Sequence, residues 1–193
     1  MFKFEEPTLE RKKDAIDYLN ELKEYGSSIN GTSGLDKYLE DYEGWLKKIE
    51  KDKNATVTDE TVPKRVYFLV RCEDNKIVGM CAIRLKLNEK YMFYGRNIGY
   101  SIRPTERGKG YNKINLYLAL KVCHEFGVEK ALLDVDAGNI ASWKTMEALG
   151  GHMDEEIVSI LEGHDKVRFY SIDVEKSLKE YGEIYEPMIE SNN

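Results

Sequence analysis

The sequence predicts a single α/β domain built on a mixed, mostly antiparallel sheet with helices on both faces. Three observations carry this. A chain of 193 residues with 41% hydrophobic and 33% charged residues has the size and balance of one compact domain and would be cramped as two. Two helical patterns come first, then three β-rich runs, then helix and strand in alternation. Gly, Pro and Asn punctuate the boundaries between them.

Thr8, after Pro7, is placed to cap a first helix in which Leu9, Ile16, Leu19 and Leu22 fall near one face, ending at Gly26-Ser27-Ser28. Leu35, Tyr38, Leu39, Tyr42, Trp45, Leu46 and Ile49 then repeat at helical spacing and predict a second helix, interrupted only by Gly44. Residues 51–64 are polar and contain Pro63, which reads as a loop. Residues 66–72 and 77–87 are β-rich and separated by Glu73-Asp74-Asn75-Lys76, a hairpin turn. A third strand, 97–103, is halted by Pro104. A helix over 109–126 follows, with Tyr111, Ile114, Leu118 and Val122 on one stripe and Gly127 as its stop. Residues 130–136 form a fourth strand, and 139–149 a short helix ended by Gly150-Gly151. Two strands near 153–161 and 167–174 pair as a hairpin around Gly163, and the acidic tail 175–193 has room for a last helix. With no repeat, low-complexity tract or linker, the chain 1–193 reads as one domain: a helical part over 1–64, a core over 66–174 and the tail.

The formal charge of −6 argues against a nucleic-acid binder held by phosphate contacts. No apolar run approaches the ~20 residues of a membrane span, and the start of the chain lacks a signal peptide's apolar region, so the cytoplasm is expected. Cys72, Cys81 and Cys123 form no C-x-x-C pair, in keeping with a reducing compartment. His124, His152 and His164 have no metal-ligand spacing, and no metal is expected.

The most informative segment runs from Ile98 to Asn112, where a strand passes through Arg107-Gly108-Lys109-Gly110 into a helix. The two glycines let backbone approach a ligand, and the first N–H groups of the helix point at it with the positive end of the dipole. The natural guest is a pyrophosphate, although no Walker A motif is present. Downstream, a strand leads through Asp136-Ala137-Gly138-Asn139 into a helix containing Ser142.

These residues, R-P-x-x-R-G-K-G-Y over 103–111, then D-x-x-N-x-x-S over 136–142 and a Gly-Gly helix end, resemble the GNAT superfamily of N-acetyltransferases, and most of all a bacterial branch of predicted acetyltransferases. The resemblance covers about residues 66–174. It implies a splayed sheet with the arm of acetyl-CoA, the acetyl donor, in the place of a missing strand partner, and an acceptor site formed partly by the N-terminal helices. The amides of Gly108, Lys109, Gly110, Tyr111 and Asn112 would hold the diphosphate, the backbone of Tyr100, Ile102 and Arg103 would pair with pantetheine, and Arg107 would orient the loop. Asn139 would contact the cofactor arm as well as cap its helix. Lys109, Lys113 and Lys144 would either approach the 3′-phosphate or stay in solvent.

Acyl transfer to an amine needs a neutral nucleophile and a stabilised leaving thiolate. Members of this family often carry a tyrosine seven residues after the Asn, but Met146 stands there; an expected carboxylate at the start of the motif strand is Asn97. Ser142 is therefore the first candidate to donate to the thiolate and Tyr170 the second. Glu73 and Asp136 are candidate bases, beside a water relay. A ping-pong route would need Cys81 or Cys123 to be activated. The expected activity is direct acetyl transfer to a primary amine of a small molecule, amino acid or peptide, with homodimerisation at a late sheet edge left open. The alternatives are a non-catalytic acyl-CoA-binding module and a protein-interaction domain using the aromatic second helix.

Overall fold

The computed structural model describes residues 1–158 and 166–190. The chain runs β1 (Phe2–Glu5), α1 (Lys12–Glu24), α2 (Tyr42–Lys53), β2 (Lys64–Arg71), β3 (Lys76–Arg84), α3 (Glu89–Phe93), β4 (Ile98–Ile102), α4 (Tyr111–Glu125), β5 (Lys130–Asp136), α5 (Ile140–Glu147), β6 (His152–Val158), β7 (Lys166–Asp173) and α6 (Val174–Tyr185). The strands form two sheets in the orders β1-β2-β3-β4 and β5-β7-β6, every pair antiparallel. No helix among the described residues is long and apolar enough to cross a membrane.

The layers follow from which strand faces are apolar. On one side Leu69, Val78 and Leu133 meet Leu116, Ala119 and Leu120 of α4. On the other, Phe68, Val70 and Met80 meet Tyr18, Leu19 and Trp45 of α1 and α2. Between these layers β3 is buried from Ile77 to Ile83 on both faces, so it shows no alternation.

Several elements differ from the sequence-based expectation. Phe2–Glu5 forms an edge strand because pairing from Phe2 opposite Arg71 to Glu5 opposite Phe68 stabilises four residues too few to show a period, and Ile189 bridges to Phe2 on its outer side. Thr8 does not cap α1: its carbonyl accepts from Arg11 N–H in a turn, the helix starts at Lys12, and Leu9 stays exposed. The long aromatic stripe is a 3-10 turn, Leu35–Lys37, followed by α2, because the Asp41 carboxylate accepts the Gly44 N–H at 2.9 Å and starts the helix afresh. Gly44 makes that cap possible, since a Cβ there would stand 2.0 Å from Asp41 Oδ2. Leu35, Tyr42, Trp45 and Ile49 are buried, so the aromatics of α2 are core and not a docking face. The tail does become a helix, capped by Asp173. The expected hairpin turn at Gly163 lies outside the described residues.

The two sheets touch at Asn97. Its N–H donates to Leu132 O at 2.8 Å, its Oδ1 accepts from Leu132 N–H at 2.8 Å, and its Nδ2 donates to Arg84 O at 2.9 Å. Its own carbonyl turns to β3, accepting from Arg84 N–H at 2.7 Å. In the β3–β4 register the Asn97 carbonyl, Gly99, Ser101 and the Arg103 N–H face β3, and Ile98, Tyr100 and Ile102 face the other way. No pairing of β4 with β5 follows this contact among the described residues, so the strands part and a gap opens between Tyr100 and the start of α5. Asn97 is thus a staple that uses an acceptor and a donor at once. Asn97→Asp keeps the shape but turns a carboxylate against the Arg84 carbonyl at a position only 4% exposed. The expected loss is roughly 2–4 kcal/mol, measurable by urea unfolding.

Candidate functional site

The loop after β4 is held from below. Arg107 Nε donates to Ile102 O at 3.2 Å and its terminal nitrogen to Ser27 Oγ at 3.0 Å, which ties the loop to the end of β4 and to the segment after α1. Gly108 and Gly110 have φ of 77° and 80°, a region costly for other residues, and nothing stands within 4 Å of where a Cβ would be. The N–H groups of Gly108, Lys109, Gly110, Tyr111 and Asn112 have no acceptor among the described residues; the first committed amide is Lys113, to Gly110 O. Five donors at the positive end of a 15-residue helix face open space.

Beside this cradle, Glu106 gathers cations. Its carboxylate, 4% exposed as a residue, pairs with Arg71 at 2.7 Å, Lys109 at 2.7 Å and Lys76 at 3.0 Å. The Arg71 hydrogen bonds, opposed by burial and helped by Lys109 and Lys76, hold its carboxyl down at about 2. The Lys109 ammonium is therefore committed, although its amide is not. Arg71 also reaches Tyr111 Oη at 3.3 Å, tying the first turn of α4 to the same cluster.

β4 presents its backbone to the gap in alternation. Arg103 N–H donates to Val78 O, and the register places Ser101 opposite Met80, which turns the amides of Tyr100 and Ile102 away from β3. Arg103 itself does not fit the expected role: its carbonyl accepts from Glu106 N–H and its guanidinium bonds Ile77 O, Asp17 and Glu21. It latches α1 to the end of β4.

Across the gap, Tyr100 Oη lies 2.9 Å from Ser142 Oγ and 3.3 Å from Ser142 O. Burial pushes the Tyr100 phenol up, so it stays protonated and donates. Asn112 reaches Thr145 Oγ1 at 3.4 Å, and its Oδ1 is buried without a partner. Asn139 caps α5 by accepting from Ser142 N–H at 3.2 Å.

Other candidates are not brought to Ser142. Tyr170 is fully buried and donates to Glu147 at 3.0 Å, near the far end of α5. Glu73 lies in the β2–β3 turn; Tyr100 pairs with Cys81, and β3 runs about 16 Å from there to Lys76 at ~3.3 Å per residue. Asp136 Oδ1 accepts from Gly138 N–H, bracing the turn before Asn139. Burial pushes the Cys123 thiol up to about 12 and raises the Cys81 thiol well above its ordinary value, which removes the thiolate a ping-pong route needs.

The opposite face of β4 is roofed by the segment between α1 and α2. Ser101 Oγ donates to Asn30 O at 2.6 Å and pairs with Tyr18 Oη at 2.9 Å, while a Cβ on Gly31 would meet Gly99 O and Tyr100 Cα at 2.7 Å. On this face lies Asp134, a residue the sequence reading passed over. Ala131, Leu133 and Val135 enter the core, so alternation turns Leu132, Asp134 and Asp136 the other way, and that period-2 pattern was its available signal. Burial raises the Asp134 carboxyl, against a hydrogen bond from Gly95 N–H and the charges of Arg96 and Arg84.

Parted strands, a run of uncommitted amides at their open end and hydroxyls across the gap are the features that characterise the site. The family model of the acetyltransferase (GNAT) domain matches residues 9–152, and the chain belongs to that family. The match starts in the N-terminal helices and stops short of the last hairpin, where the motif-based resemblance spanned 66–174. Solved structures of the same fold include ribosomal-protein-S5-alanine acetyltransferase from Vibrio fischeri, at 16% identity and TM-score 0.65 over 89% of this chain and 93% of that one. Another is the microcin C7 self-immunity acetyltransferase MccE, in complex with acetyl-CoA and AMP, at 17% identity and TM-score 0.65 over 88% and 91%. A third is a chimera of spermidine N-acetyltransferase SpeG from Vibrio cholerae and hSSAT, at 16% identity and TM-score 0.63 over 92% and 98%. No curated protein matches the sequence.

Because the Glu106 carboxyl is depressed in the fold, its contribution is complete above the unfolded value near 4.5 and is lost as pH falls toward about 2. Glu106→Gln is expected to cost on the order of 3 kcal/mol at pH 7 by leaving Arg71, Lys76 and Lys109 without their shared anion. Chemical unfolding at stepped pH should show the gap between wild type and variant closing across pH 5 to 2.

Proposed function

We propose that this acetyltransferase moves the acetyl group of acetyl-CoA to a primary amine of a small molecule, amino acid or peptide by direct attack. The observation that carries the reading is the run of five uncommitted amides over 108–112, set at the mouth of a gap that Tyr100 and Ser142 face. Acetyl-CoA is the donor of the family, and the residues fit it: open space over both positive-φ glycines, outward amides on β4, and an orphaned buried acceptor at Asn112 Oδ1. When bound, it supplies an acyl thioester already activated for transfer.

The chain's own work is then to hold, orient and move protons. Amides 108–112 bind the diphosphate, and the N–H groups of Tyr100 and Ile102 supply strand-like partners along the gap; the Ile102 carbonyl is already engaged by Arg107. Tyr100 donates to Ser142 Oγ, which leaves the Ser142 hydrogen free to turn toward the departing sulfur. An alkylamine titrates near ~10.4 in water, so a group on the acceptor side must take its proton. We assign this role to Asp134, on the face of β5 turned away from the α4 core and near Arg84 and Arg96, with its affinity for a proton raised by burial. Met146 is buried and offers no proton, but the Tyr100–Ser142 pair answers for it, which weighs against the non-catalytic module. Free Cys72, Cys81 and Cys123 accord with a cytoplasmic setting, and β6 leaves a sheet edge at which a second copy could pair.

Gly110→Glu places a side chain and a negative charge in the cradle at φ 80°. Thermal-shift titration with acetyl-CoA should stabilise the wild type and leave the folded variant unmoved; equal shifts would reject the site. Ser142→Ala should lower kcat about 10- to 100-fold, as loss of one donor to developing charge does, with KM for acetyl-CoA little changed in a thiol-release assay.

A further inference from the structure

The acceptor-side wall carries two cations that the transfer chemistry leaves unused. Arg84 is held by the carbonyls of Gly95 and Arg96 and lies over the Tyr91 ring, 4.2 Å from its centroid. Arg96 lies over Phe169 at 4.3 Å, and Phe169 stands opposite Asp134 in the β5–β7 register. Neither arginine makes an ion pair with a described residue, and the Nε of each is buried without a hydrogen-bond partner among them. Arg71, Arg103 and Arg168, by contrast, each hold a carboxylate at 2.9 Å or less, while Arg65 lies over the Phe126 ring at 4.8 Å, on a different element.

A guanidinium laid flat on an aromatic ring keeps its N–H edge for a planar oxyanion, and partial desolvation strengthens the pairing. Arg84 is occupied in shaping the loop before β4, whereas the Arg96 guanidinium makes no hydrogen bond to a described residue and rests on the Phe169 ring. The wall therefore offers one carboxylate, Asp134, beside an available guanidinium. That is the charge complement of a molecule bearing both an amine and an anion. A polyamine would meet two arginines with one carboxylate, Asp134, between them, a net positive wall that repels it.

We propose that the acceptor is an amine carrying its own carboxylate, of the amino-acid class, with Arg96 gripping the carboxylate while the amine faces Asp134. This rests on the acetyl-transfer reading above. It makes Arg96 a specificity-determining residue, outside the acetyl-CoA cradle and the Tyr100–Ser142 pair.

The test uses the full chain, acetyl-CoA and acceptor pairs that differ only by the carboxylate: lysine against cadaverine, and phenylalanine against phenethylamine. Wild type is expected to favour the carboxylated member by about tenfold or more in kcat/KM, the scale of a lost charge-assisted contact. Arg96→Gln should bring the ratio close to one by slowing the carboxylated member alone, with KM for acetyl-CoA and Tm unchanged. Arg96→Lys, which keeps the charge but not the fork, should fall between and stands in if the Gln variant does not fold. Equal use of both members, preference for cadaverine, or an unchanged ratio in the variants overturns the inference while leaving acetyl transfer intact. Where no pair is turned over, saturation-transfer NMR on the CoA-loaded protein reads binding, and absence of preference for the carboxylated member overturns it equally. Failure of acetyl-CoA to bind in calorimetry instead removes the transfer reading itself.

Discussion

The fold depends on one side-chain amide. Asn97 joins the two sheets at a single level, satisfying Leu132 with its oxygen and Arg84 with its nitrogen, while its backbone carbonyl is turned the other way. Beyond this contact the outward amides of Tyr100 and Ile102 find no partner on β5 among the described residues, and the sheet stays open. The gap between β4 and β5, and with it every amide and hydroxyl said to face a ligand, follows from where the pairing stops. A carboxylate cannot do the same, because it has no hydrogen to give Arg84.

The gap is then shaped by ionic contacts at its open end. Glu106 draws Arg71, Lys76 and Lys109 together under the loop, and Glu21 takes Arg103 together with the N–H and hydroxyl of Thr105. These pairs are partly or wholly withdrawn from water, where the loss of one partner costs more than the pair itself contributes. Their effect is positional. They set the φ > 0 loop, the first turn of α4 and α1 in one arrangement, so the cradle and the roof over β4 are built from the same contacts.

The roof explains why two glycines meet where no turn is required. Gly31 crosses Gly99 and Tyr100 closely enough that any side chain would collide with backbone, and Ser101 and Tyr18 fasten the crossing to the sheet. Under the proposed reading, the acceptor would enter beside this crossing, between Asn30–Gly31 and the wall of Arg84, Arg96, Asp134 and Phe169, and would meet the donor from the other face of β4.

Local pattern alone determined the strand-loop-helix of residues 98–125, the Asn139 cap, the strand over 130–136 and the glycine cradle, because caps, alternation and positive-φ glycines are written in neighbouring residues. It also placed Ser142 correctly on α5. Tertiary structure alone decided β1, whose four residues are held by a partner 63 to 69 positions away in the pairing of Phe2 with Arg71 and Lys3 with Val70 through Glu5 with Phe68. It decided as well that Tyr100 reaches Ser142 across 42 positions, that Tyr170 is buried against Glu147, and that Asp134 lies near Arg84 and Arg96. The physical reason is one of range: backbone preferences act over a turn or a strand, whereas the environment of a titratable or donating side chain is set by whichever distant segment packs against it.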